Sequence, residues 1–310
     1  MKQFNSVDFR VYSDKLDEQI GEIHGSRTLN RAQKQMALIE LGLKKEDLRI
    51  LYGGMYYNPT APFRITTPRG GVYTFGVEIE CFVPQYRIQD TANSNNVRIA
   101  YESYNHTDNT THYKFVHDAS VLGDNAIECV SPILKGNKGM SSLKAACKAL
   151  NEAGATVNRT CGLHVHIGAK NMTNKQISNV YKNYQKLETV IDSFLAPSRR
   201  NNSYAKSLRG LRFDSCETPY DIASYMGSRY YKVNPEAYRR HYTIEFRQHQ
   251  GTTNYEKISK WIKFLMKLCD WSKENVLANE ITNISDIPFL NDAEKRFFEG
   301  RKAEIEASNA

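Results

Sequence analysis

The stretch T-F-G-V-E-I-E-C-F-V-P, residues 74–84, constrains the fold more than any other part of the chain. Phe75, Val77, Ile79, Phe82 and Val83 are apolar and β-prone, as in a buried strand, yet Glu78 and Glu80 stand two apart inside it. Side chains alternate across a strand, so both carboxylates leave on the same side. The device recurs three times. C-G-L-H-V-H-I-G, 161–168, turns His164 and His166 one way and Leu163, Val165 and Ile167 the other. Y-T-I-E-F-R-Q-H-Q, 242–250, sets Glu245, Arg247 and His249 against Ile244 and Phe246. N-A-I-E-C-V-S-P, 125–132, sets Glu128 against Ile127 and Cys129. A solvated sheet face alternates too, but it mixes Lys, Thr, Ser and Gln. These faces carry Glu, His and Arg.

If the faces converge, the four glutamates repel one another. Two unit charges about 4 Å apart cost roughly 4 kcal/mol at an effective dielectric near 20. Arg247 alone cannot balance four carboxylates, so divalent cations are the expected counterions. Several glutamates, few histidines and no cysteine set suit Mg²⁺ or Mn²⁺ better than Zn²⁺. The competing metal reading is one ion held by H-x-H plus Glu, as in cupin-type oxygenases or zinc hydrolases. Carboxylates outnumber histidines here, which points to two or more hard ions.

The rest of the chain is ordinary for a globular protein: 310 residues, 40% hydrophobic, 25% charged. No run of about 18 apolar residues suggests a membrane span. The opening M-K-Q-F-N-S-V-D-F-R lacks the apolar core of a secretion signal. The expected address is therefore cytoplasmic, with no membrane partner. Six scattered cysteines without a C-x-x-C pair read as buried free thiols. A formal net charge of +8 favours anionic partners, but Lys and Arg are spread too evenly to choose among nucleic acid, nucleotide and acidic substrate.

Along the chain, residues 1–60 read as a helical segment. Arg31–Leu41, a turn at Gly42 and a short helix over 44–51 have the outline of a helix-turn-helix, or of a plain helical hairpin. Gly53–Arg69, with three prolines, reads as a linker. Strands are expected at 72–83, 97–103, 112–118, 125–130, 161–168 and 242–249, with 105–111 as a hairpin turn and 90–96 as a loop. Helices are expected at 140–153, 175–194 and from 254 onward, and a charged helix from 291. Strands scattered among helices without a βαβ rhythm predict an α+β fold with a largely antiparallel sheet. The expected division is 1–60, a catalytic domain over 61–275 and a helical tail over 276–310. No P-loop or G-x-G-x-x-G is present.

F-G-V-E-I-E, D-A-S-V…A-I-E-C-V-S-P-I, C-G-L-H-V-H-I-G, S-R-R-N-N-S-Y and Y-T-I-E-F-R-Q-H-Q-G-T-T-N occur in order between about 74 and 261. Together they resemble the amidoligases, carboxylate–amine ligases related to glutamine synthetase and glutamate–cysteine ligase. The resemblance implies a curved half-barrel sheet, ATP entering at one end and a carboxylate substrate at the other, with two or more Mg²⁺ between. It implies that Glu78 and Glu80 hold different ions and that Glu128, Glu245 and one histidine of the pair add ligands; the motif fit favours His166 for the metal without excluding His164, which is assigned to cofactor binding. Arg247 and one of Arg199 and Arg200 would contact the transferring phosphate. The implied reaction makes an amide through an acyl phosphate, joining a small-molecule, peptide or protein carboxylate to an amine, with Glu245 or a nearby carboxylate accepting the proton that the amine loses.

Two other readings stay open. A cysteine nucleophile would pair Cys161 with His164, but strand parity puts Cys161 on the side of Leu163. A nucleic-acid-binding protein would use the basic charge and the 30–51 helices and would need none of the glutamates.

Overall fold

The structure, a computed structural model, describes residues 73–308 apart from 104–110, 118–120, 122 and 201, together with 31–40 and a few positions between 19 and 29. Two compact units are distinguished, Met1–Tyr73 and Thr74–Ala310. Of the first, helix α1 (Arg31–Glu40) is described. The expected turn at Gly42, the helix over 44–51 and the linker lie outside the described residues.

The second unit is built on an open eight-stranded sheet. Its strands are β1 (Thr74–Phe82), β2 (Ile99–Tyr101), β3 (Tyr113–Val116), β4 (Ala126–Val130), β5 (Leu134–Lys135), β6 (Gly162–Gly168), β7 (Val233–Asn234) and β8 (Thr243–Gln250). They run in the order β2-β3-β4-β1-β6-β8-β7, and β5 also pairs with β1. All pairings are antiparallel except β2–β3. The expected antiparallel sheet is therefore present in an α+β chain, while the two-residue strands β5 and β7 were too short to leave a periodic signal.

Two expectations need correction. The segment 105–111 does not close a hairpin, because β2 and β3 pair in parallel with Ile99 opposite Tyr113. The segment 90–96 is a turn only at Asn95 and Asn96, because α2 (Gln85–Ser94) takes up the rest of it. Only Ile88 and Ala92 of that helix are buried, one turn apart, so its polar remainder hid the helical period.

The apolar side of the sheet is covered by helices. Val77, Ile79, Leu163, Val165, Ile167, Ile244 and Phe246 are essentially fully buried. Against them lie α4 (Asn174–Phe194), with the Tyr184 ring 5.5 Å from Phe246, and α7 (Tyr255–Trp271). A Thr173–Gln176 capping box starts α4 by satisfying its first amides. α3 (Gly136–Glu152) flanks β5, and α5 (Pro219–Met226) and the short α6 (Ala237–His241) precede β7 and β8 respectively. The charged α8 (Asp292–Ala307) docks one face: Phe298 sits 4.6 Å from Phe194 and 5.3 Å from Phe264, and Glu294 takes Lys267 in a buried ion pair at 2.6 Å. Its far end stays exposed, as expected. No helix among the described residues is long and apolar enough to cross a membrane.

Candidate active site

Register brings the ionisable residues together. Glu78 stands opposite His164, Glu80 opposite Glu128, and His166 opposite Glu245. Directly opposed residues share a face, so β4, β1, β6 and β8 deliver four carboxylates and two imidazoles to the side away from the helices. Lys114 joins them, since it faces Val130, which in turn faces Glu78. It is buried. Sequence reasoning passed it over, although its place in Y-K-F-V, flanked by Tyr113 and Phe115, was a readable alternation.

Glu78 lies at the centre. One oxygen is 2.8 Å from His164 Nδ1 and the other 3.2 Å from His166 Nε2. His166 Nδ1 is in turn 2.9 Å from Thr243 Oγ1, which fixes the ring orientation. Burial pushes Glu78 toward the neutral form, but the hydrogen bonds and charges of both histidines outweigh it and hold the carboxyl well below its ordinary range. His166 shows the converse: burial disfavours its cation, yet Glu245 and Glu78 raise its pKa. Glu78 is also the most open member of the group, with a quarter of its side chain exposed.

Two ligand groups follow from this geometry. Glu78, His166 and Glu245 place one donor atom each within 4.8 Å of one another, and so do Glu78, Glu128 and His164. Glu78 belongs to both. Glu80 belongs to neither; it accepts from Gly162 N at 2.5 Å and lies 3.5 Å from His164 Nε2.

The two arginines of the S-R-R loop diverge. Arg199 is 2% exposed and donates to the carbonyls of Arg247 and Gln248 at 2.5 and 3.4 Å. A Cβ at position 162 would come within 3.0 Å of the Arg199 guanidinium and 3.1 Å of His164 Nε2, so Gly162 admits the arginine. Arg200 spends its Nε and Nη2 on Leu195 O, at the end of α4. Arg247 bonds Glu245 at 2.6 Å and Tyr204 O at 3.3 Å. The other Glu245 oxygen accepts from Asn234 at 2.6 Å, a partner that the sequence gave no sign of, because β7 is only two residues long. Burial pushes Glu245 up, and Arg247 and His166 pull it below its usual value.

His249 is not on this face. A bulge sets Arg247 and Gln248 together opposite His164, and beyond it His249 pairs with Leu163 on the apolar side. Its ring packs 5.7 Å from Trp261, and burial lowers its pKa from 6.5 to about 3. The folded state thus refuses a proton that the unfolded chain takes up below about pH 6.5. Stability contributed by this group should be constant above that pH and fall by about 1.4 kcal/mol per pH unit below it, down to about pH 3. Urea melts of wild type and His249→Gln at pH 7 and pH 5 test this. The variant should show the shallower decline, and equal declines would refute it.

All six cysteines are free and buried. Burial raises the pKa of Cys161, and that of Cys81 to about 12, which removes the thiolate a covalent mechanism needs.

Residues 72–269 match the family model described as "Putative amidoligase enzyme". A search of curated proteins found no match.

Proposed function

The chain belongs to the amidoligase family, and on that premise we propose that it is an ATP-dependent ligase that joins a carboxylate to an amine through an acyl phosphate. Family membership supports a ligase activity on small-molecule or peptide substrates. The observation that carries the finer reading is the sharing of Glu78 between two ligand groups on one sheet face. Each group sets two carboxylates against one imidazole, with no thiolate, and predominantly carboxylate sites suit hard divalent ions such as Mg²⁺ or Mn²⁺. Glu78, His166 and Glu245 would hold one ion, and Glu78, Glu128 and His164 a second. Such ions would supply charge neutralisation on a triphosphate. The histidines fall in different groups, which favours two ion positions over a single H-x-H plus Glu site. We extend the proposal to a glutamine synthetase-like half-barrel for the sheet.

In this reading Arg199 and Arg247 contact the transferring phosphoryl group. The substrate carboxylate oxygen bonds to the γ-phosphorus as the bond to the β,γ-bridging oxygen breaks, and ADP leaves. The amine nitrogen then bonds to the acyl carbon, phosphate departs, and a carboxylate of the face takes the proton that the amine sheds. Glu245 is the poorer choice for that proton, because both its oxygens already accept hydrogen bonds from Arg247 and Asn234.

The test supplies ATP, Mg²⁺, hydroxylamine as a universal amine, and a panel of carboxylates. Hydroxamate and ADP should appear in equal amounts. Arg247→Met should lower that rate by roughly a hundredfold or more, the scale for losing one preorganised donor. A panel that yields neither ADP nor hydroxamate defeats the proposal.

A further inference from the structure

Next to the carboxylates, the approach to β8 carries a row of tyrosines for which the proposed chemistry has no use. Tyr220 lies in the first turn of α5, Tyr238 in α6, and Tyr242 between α6 and β8. Tyr220 and Tyr238 meet edge to face at 6.0 Å between ring centroids, and Tyr238 and Tyr242 at 5.7 Å. Tyr220 and Tyr242 are 45% and 47% exposed. Cations lie over the rings, with the Arg239 guanidinium 5.7 Å from the centre of Tyr220 and the Lys170 ammonium 5.2 Å from that of Tyr242.

The two residues that flank Tyr242 in the chain both reach the acidic face. The His241 ring stands edge-on to His166 at 6.1 Å, and Thr243, the residue after Tyr242, bonds His166. Tyr242 itself has φ 52° and ψ 38°. Bulky residues rarely adopt this left-handed conformation. Its N–H donates to Tyr238 O at 3.1 Å and its carbonyl accepts from Ala169 N at 2.9 Å, so α6 and the residue after β6 hold it there. The strained turn joins the tyrosine helix to the strand of Glu245 without an intervening loop.

Contiguous exposed aromatic surface marks an interaction site, and tyrosine offers wide contact area at low conformational cost. A free small acid would be gripped within the acidic face and would leave this row bare. A chain whose end reaches His166 would lie along it. Charge specifies the chain further. Arg239 and Lys170 flank the row; Glu236 sits 3.7 Å from Arg239, and Asp221 is bonded to Thr218 as the cap of α5.

We propose that Tyr220, Tyr238 and Tyr242 bind the acyl donor, and that this donor is an acidic peptide chain whose carboxyl end reaches His166 and Glu245. The assignment rests on the ligase reading and narrows its substrate class.

Calorimetric titration of the full chain with Mg²⁺ and no nucleotide tests it. The probes are N-acetylglutamate and the acetylated hexapeptide AEAEAE with a free carboxyl end. The hexapeptide should bind at least about tenfold more tightly, because its added residues gain contact with the ring faces and its glutamates meet Arg239 and Lys170, a difference of about 1.4 kcal/mol. Tyr220→Ala and Arg239→Gln should each weaken the hexapeptide by about threefold or more and leave N-acetylglutamate unchanged, while Tyr220→Phe should behave as wild type. Circular dichroism of each variant establishes that it is folded. Equal affinity for the two probes, insensitivity to the variants, or equally tight binding of acetylated AKAKAK overturns the proposal. If the hexapeptide binds as expected and yet no carboxylate yields hydroxamate, the ligase reading fails and the peptide surface stands.

Discussion

Glu78→Gln should abolish turnover more completely than any other single change on the acidic face. Glutamine keeps the volume and one acceptor, so the fold is retained, but the charge shared by the two ligand groups is gone. Loss of one preorganised electrostatic contact lowers the rate by roughly 10²–10³-fold, and this substitution weakens two ion positions together. ADP release in the presence of Mg²⁺ and a carboxylate should fall by at least about a thousandfold. Titration with Mn²⁺, followed by electron paramagnetic resonance, should show two ions per wild-type chain and weakened binding of both in the variant. Glu80→Gln is the informative neighbour, because Glu80 lies outside both groups and braces Gly162. A Glu78→Gln protein that turns over ATP at the wild-type rate would remove the basis of the proposal.

The largest expected loss of stability follows Lys232→Met. Lys232 is fully buried, with its ammonium 2.8 Å from Glu188 and 2.7 Å from Asp192. Both carboxylates have further partners. Ser207 and the Leu208 amide bond Glu188; Gln248 and Arg209 bond Asp192. Removing the ammonium leaves the two carboxylates with the half-exposed Arg209 as their remaining cation, and breaking a buried pair in this way costs about 3–5 kcal/mol. Urea denaturation of the variant should show that loss, and Glu188→Gln in the same chain should recover part of it. A loss below about 1 kcal/mol would mean that the hydrogen bonds, and not the lysine, hold the carboxylates. The network also lies directly behind the reactive face: Gln248 is in the bulge of β8, and Lys232 O accepts from the Arg247 amide at 2.8 Å.

Much of the acidic face was legible because it depends on period-two alternation, which a sequence displays openly. Glu78, Glu80, Glu128, His164, His166 and Glu245 lie on one face because each strand pairs with the next in a register that buries its apolar side. Where alternation breaks, so does the reading. His249 was placed with Glu245 because nothing in T-I-E-F-R-Q-H-Q announces an extra residue; the bulge is visible only against the partner strand. Asn234 was overlooked for a different reason: it sits in a two-residue strand, a length at which a periodic signal is indistinguishable from chance. The choice between Arg199 and Arg200 depended on the bend after α4, a matter of three residues in a 3₁₀ turn.

The added residue in β8 makes that strand a parity switch. On its early half, odd-numbered positions serve chemistry; past Gln248, the same numbering serves packing around Trp261. The bulge also frees two carbonyls, of Arg247 and Gln248, and Arg199 takes both. Deleting one residue there would therefore do more than shorten a strand. It would rotate the downstream half by 180° about its axis, expel an aromatic partner from the interior and strand a guanidinium with no acceptors. Insertions between the elements of this protein can be absorbed at the surface, but at this position the count of residues is itself a functional constraint.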